Sequence, residues 1–91
     1  MDWEETKERA RKVMAALEAM YPREYTENAR GFMDVNEWKI AIECLCDNIS
    51  EAPKPLTREV FDELRTVADS MGISARYLEI LKVEEGTSKP V

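Results

Sequence analysis

The chain has no histidine, only two cysteines and three glycines, and no apolar run approaching the length of a membrane span, in 91 residues. Histidine is the commonest general acid/base and the commonest metal ligand, so its absence removes Ser-His and Cys-His nucleophile pairs and His-bearing zinc sites together. The two thiols, Cys44 and Cys46, stand two apart in sequence. On a helix they project about 200° from one another and cannot bridge without unwinding it. They read as small apolar fillers rather than a metal or redox pair, and a secreted disulfide framework would need more pairs, so cytoplasmic residence is expected. A bilayer span needs roughly 18–20 apolar residues, and the N-terminal Met1-Asp2-Trp3-Glu4-Glu5 is acidic where a signal peptide is basic. Positive charge is also short: 13 Lys+Arg stand against 19 Asp+Glu, a net charge of −6. That balance argues against nucleic-acid binding and against attraction to anionic lipid. There is no Gly-rich phosphate loop, no nucleophile with a base beside it, and no carboxylate pair at acid/base spacing. A non-enzyme without cofactor, metal or small-molecule substrate is expected.

What is present is a helical pattern throughout. Apolar residues make up 44% of the chain, enough for one close-packed domain, which at this size buries about 60–65% of the surface its unfolded chain exposes. Asp2 and Glu5 resemble a capping box, and Trp3, Ala10, Val13, Met14, Leu17 and Met20 recur at helical spacing, predicting a first helix over about 3–20. Pro22 suits the first turn of a short second helix, lined by Tyr21, Tyr25, Ala29 and Phe32 and broken near Gly31. Asn36 is a good N-cap for a third helix over about 37–51, with Trp38, Ala41, Ile42, Leu45 and Ile49 inward. Ala52-Pro53-Lys54-Pro55 cannot continue it.

Thr57 caps a fourth helix over about 58–71, with Leu56 and Phe61 spaced as a hydrophobic staple. Val60, Phe61, Leu64, Val67, Ala68 and Met71 form its buried stripe, while Arg58/Asp62 and Arg65/Asp69 are placed as external ion pairs. Gly72 is its natural stop, and Ser74 caps a last helix over about 75–82. The expected architecture is all-α, a compact bundle of about five short helices forming a single domain over 1–83, with a disordered C-terminal tail over 84–91.

Charge is concentrated. Residues 34–53 carry Lys39 against Asp34, Glu37, Glu43, Asp47 and Glu51, so four of the six net negative charges lie in the third helix and its entry turn. With Trp38 at 0° on a helical wheel, Glu43, Asp47 and Glu51 fall at about 140°, 180° and 220°, opposite the core face, with Ile40 among them at about 200°. Such a column is either a solvated face or an acidic contact surface with an apolar anchor. A calcium site is excluded because the Asp-rich loop with a central Gly is missing. Residues 64–82 have the spacing of a helix-turn-helix, which leaves a small DNA-binding regulator as the alternative reading. Its would-be recognition helix offers only Arg76 and Lys82 against Glu79, poor material for DNA. Asp69-Ser70-Met71 has the look of a carrier-protein attachment motif, but Ser70 lies just before the Gly72 stop rather than opening a long helix.

The run from Asn36 to Ile49, Asn36-Glu37-Trp38-Lys39-Ile40-Ala41-Ile42-Glu43-Cys44-Leu45-Cys46-Asp47-Asn48-Ile49, is followed by Leu56-Thr57, Met71-Gly72-Ile73 and Tyr77-Leu78. This ordered set, over about residues 30–82, resembles the small helical immunity proteins of the MafI type and their CdiI-like counterparts, which accompany contact-dependent growth inhibition and related polymorphic toxins. The resemblance implies tight binding and neutralisation of a cognate toxin domain, commonly a nuclease and here expected to be an RNase of the EndoU type. An acidic protein would be steered onto the cationic site of such an enzyme. On that reading the toxin-binding residues are Asp34, Glu37, Ile40, Glu43, Asp47 and Glu51.

Overall fold

A computed structural model describes residues 1–84. The fold is all-α, with helices α1 (Trp3–Met20), α2 (Glu27–Asp34), α3 (Trp38–Ser50), α4 (Arg58–Met71) and α5 (Arg76–Glu79), and a 3-10 turn at Arg23–Tyr25 between α1 and α2. α1 packs along α4, and α2 along α3. Thr6 meets Ser70 and Arg9 meets Glu63, so α1 and α4 run antiparallel. Met14, Leu17, Ile42, Leu45, Leu64 and Val67 are fully buried between the pairs, the stripe of each amphipathic helix meeting its neighbours' stripes. Trp38 opens α3 beneath α1, where Lys7 and Arg11 lie over its ring at 5.7 and 5.1 Å.

The caps form as their residue types dictate. Asp2 Oδ1 accepts from the Glu5 N–H at 2.8 Å and Thr57 Oγ1 from the Val60 N–H at 3.2 Å. Gly72, at φ +73°, stops α4 with the Ile73 N–H bonded back to the Ala68 carbonyl. The same device ends α2, which corrects two expectations. Gly31 lies inside α2, and Asn36 does not cap α3. Asn36 takes the left-handed conformation (φ +67°), its N–H bonds to Met33 O, and the Glu37 N–H bonds to Phe32 O at 2.9 Å. Its side chain accepts from the Trp38 indole instead, at 3.0 Å. α2 therefore buries Ala29 and Met33, four apart, and leaves Phe32 37% exposed. Trp3 is likewise exposed, at 48%: Thr6, one turn further on, already faces the last turn of α4, which ends at Met71.

The last helix is one turn, not the two over 75–82 that its apolar spacing suggests. Beyond Glu79 the chain straightens and pairs with the segment before α4: the Leu56 N–H donates to Lys82 O at 2.9 Å, and the Glu84 N–H to Leu56 O at 2.8 Å. Leu56 is fully buried between Pro55 and α4, so its backbone groups need partners, and residues 82–84 supply both. Glu84, placed by sequence at the start of the tail, is thus bonded to the domain. Residues 85–91, the rest of the expected disordered tail, lie outside the described residues. The Arg58/Asp62 pair forms at 3.6 Å, whereas no Arg65–Asp69 ion pair forms among the described residues. No helix is long and apolar enough to cross a membrane among those residues.

Candidate functional site

The outer face of α3 carries Ile40, 43% exposed, with Glu37 at its entry, Glu43 half-buried, and Asp47 and Glu51 exposed. Helical periodicity places them there because Ala41, Ile42, Leu45 and Ile49 are all committed to the core. Asp34 does not join them. Its carboxylate lies 3.9 Å from Arg30, which also holds Glu18 in a two-pronged hydrogen bond at 3.0 and 2.8 Å. Arg30 stands four residues before Asp34 and draws it onto the α1–α2 side. The hydrogen bond to Arg30 holds the Glu18 carboxyl below the usual carboxylate range, against a smaller upward push from burial.

Elsewhere many surface charges are paired, although Glu24, Glu59, Asp69 and Glu79 also join no ion pair among the described residues. The ion pairs among the described residues lie on α1, around the 3-10 turn and α2, and on α4. None involves Glu37, Glu43, Asp47 or Glu51. Two of the α3 acids, Asp47 and Glu51, also stand at the unfavourable end of a helix that has no base in its last turn, whereas Glu37 lies at its N-cap. Asp47 and Glu51 face the negative end of the dipole. Part of that cost is offset from outside, because Lys82 Nζ donates to Ser50 O at 2.8 Å and to Ala52 O at 3.0 Å. The residual field reaches the thiols. Burial pushes Cys46 up to about 12, reinforced by Asp47 and Glu43, and burial and then Asp47 move Cys44 in the same direction.

The C-terminal half of α3 is a ridge between two grooves. On one flank Glu51 and Asn48 face Glu24 and Tyr25 across a groove of about 350 Å³. On the other, Asp47 faces Ser74, Arg76, Tyr77 and Ile80 of the α5 corner across about 470 Å³. The α5 side of this groove was not legible in the sequence, which predicts a helix over about 75–82; the helix ends at Glu79, and Ile80 just beyond it is 49% exposed. A third groove, of about 500 Å³, runs between α1 and α4 over Val13, Ala16 and Val60. Its rim is internally compensated by Arg9, which pairs with both Glu5 and Glu63.

The other motifs resolve into structure. The Ser70 hydroxyl donates to Thr6 Oγ1 at 2.6 Å, since the Thr6 proton is given to Asp2 O, so it ties α4 to α1. The 64–82 corner places a single helical turn, α5, where DNA recognition would need a helix able to lie along a groove. Cys46 fills the core, and Cys44 is half-buried and accepts from Asn48 Nδ2 at 3.5 Å. Among the described residues no three His, Cys, Asp or Glu side chains converge as a metal site would require. No family model, curated protein or solved structure matches this chain.

Proposed function

We propose that the protein is an immunity protein of the MafI or CdiI-like kind, which binds the toxin domain of a contact-dependent growth inhibition or related polymorphic system and neutralises it with the acidic outer face of α3. The observation that carries this reading is the unmatched charge of α3. Among the described residues Glu37, Glu43, Asp47 and Glu51 form no ion pair, and Asp47 and Glu51 stand toward the helix's negative end, whereas α1, α2 and α4 each pair several of their acids. Like charges four apart on one helix oppose folding, and so does acid at a helix C-terminus. Charge kept at that expense around an exposed Ile40 suits a positively charged protein surface. A nuclease must present cations to phosphates, so a toxin that cuts RNA, such as an EndoU-type enzyme, has the complementary site.

The test is titration of purified protein into the RNA-cleavage assay of a toxin domain encoded beside it. Cleavage should cease near a 1:1 ratio, with fast association and slow dissociation. Inhibition only at large excess, or turnover of the toxin by the protein, would overturn the reading.

A further inference from the structure

The groove between α3 and α5 lies outside the residues that the charge pattern singles out, apart from Asp47, and its make-up is distinct from the rest of the acidic face. We infer that this groove receives a lysine or arginine side chain of a protein partner, with the cation against Asp47 and the aliphatic stem along Tyr77 and Ile80. Its volume, about 470 Å³, is ample for one long side chain. The lining combines an aromatic ring and an aliphatic chain, Tyr77 and Ile80, with the Asp47 carboxylate, and that combination matches the stem and head of Lys or Arg. Asp47 has no cation within 4 Å among the described residues, although Arg76 lines the same groove, so its charge is open to an incoming group.

The groove is also preformed. Leu78 and Leu81 are buried on either side of Ile80, Lys82 is fastened to the end of α3 at 2.8 and 3.0 Å, and Val83 is bridged to Leu56. A rigid receptacle loses little entropy on binding, and an aromatic and aliphatic pair beside charged groups is the composition of an interface anchor. Arg76, which also lines the groove, would orient the partner by meeting an acid beside the inserted cation. A second copy of this chain is the weaker occupant: pairing Asp47 with Arg76 across a two-fold axis would bring two uncompensated α3 faces together. That the partner is a toxin rests on the function proposed above; the chemistry of the groove does not.

The experiment follows amide shifts of the full chain by NMR during addition of acetyl-Leu-Arg-Leu-amide, with the citrulline peptide as a neutral isostere. Shifts should concentrate at Asp47 and at Ser74 to Ile80, fade with citrulline, and fade with Asp47→Asn or Ile80→Ala, whose spectral dispersion reports the fold. Shifts centred on Glu24 and Glu51, on the α1–α4 groove, or unaltered by both substitutions would overturn the proposal. So would shifts at the same residues on concentrating the protein alone, which would mark self-association. In parallel, each substitution should speed dissociation from an RNA-cleaving toxin domain about ten-fold. If wild type inhibits the toxin and both variants dissociate at its rate, the groove proposal fails and the immunity function stands. If wild type inhibits no toxin while the arginine peptide still maps to the groove, the immunity function fails and the groove stands.

Discussion

Cys46 is fully enclosed in the core and its thiol is pushed up to about 12, first by burial and then by Asp47 and Glu43. In the native protein it should therefore resist Ellman's reagent at pH 8 and react only when urea unfolds the chain. Linkage gives a second consequence. The folded-state value lies above the unfolded value of 9.0, so this thiol's contribution is fully present below pH 9 and declines as pH rises toward 12. Cys46→Ala should cost about 1–2 kcal/mol at pH 7 through the cavity it leaves. That difference should shrink by about 1.4 kcal/mol at pH 10, where the unfolded wild-type thiol ionises, while Cys44 is common to both proteins and cancels. Urea midpoints at the two pH values decide it, and an unchanged difference would show that the thiol is not shielded. Cys46 as a filler was legible because its helical position adjoins the Ala41–Leu45 face. Asn36 was misread for a physical reason: between two helices, an Asn suits the left-handed stop of the first and the N-cap of the second equally. What decides is the Trp38 indole, which takes the Asn36 side chain at 3.0 Å, a contact local sequence pattern does not rank.

Three helices, α1, α3 and α4, were legible nearly to the residue, since each combines a 3.6-residue stripe with at least one terminal signal: Asp2, Pro53, or Thr57 with Gly72. α5 was not. Its apolar residues keep helical spacing through Leu81, but the buried backbone of Leu56, some 25 residues earlier in the chain, needs partners and draws residues 82–84 into extended pairing. The candidate site divides in the same way. Periodicity alone aligns Glu43, Asp47 and Glu51, whereas the α5 wall of the groove depends on where that distant pairing ends the helix. Lys82 belongs to this second class, with its ammonium on two carbonyls at the end of α3. Lys82→Met keeps the stem and removes both charge-assisted bonds, so stability should fall by about 1 kcal/mol, a melting temperature lower by about 4–8 °C for a domain of this size. Lys54, which reaches the end of α1 through one bond at 3.4 Å to Met20 O, should cost less when changed to Met. Equal losses for the two would mean that the α3 terminus has no special need of a cation.

Across the molecule, the net charge of −6 is unevenly held: residues 1–33 and 54–83 are close to neutral, while residues 34–53 carry four of the six. Because Glu37, Glu43, Asp47 and Glu51 form no ion pair among the described residues, their charge projects outward as a field, while Asp34 is met by Arg30. Changing Glu43, Asp47 and Glu51 together to Gln, Asn and Gln should raise the melting temperature, since like-charge neighbours four apart each oppose the helix by about 0.2–0.5 kcal/mol and the dipole adds to this. The same variant should associate more slowly with an RNA-cleaving toxin domain, and reversal of all three to Lys should slow it most. In both, the dependence of the association rate on salt should flatten, because long-range steering acts on encounter. Ile40→Ala should leave association unchanged and speed dissociation, costing about 1–3 kcal/mol, as loss of an anchor does. Steering and anchoring are thereby read on different rate constants. Circular dichroism must show each variant helical, since a broken α3 would slow association and speed dissociation at once. A neutral triple variant that is more stable yet binds at the wild-type rate would separate the charge from the function, leaving the acidic column a solvated face and placing the contact elsewhere on the molecule.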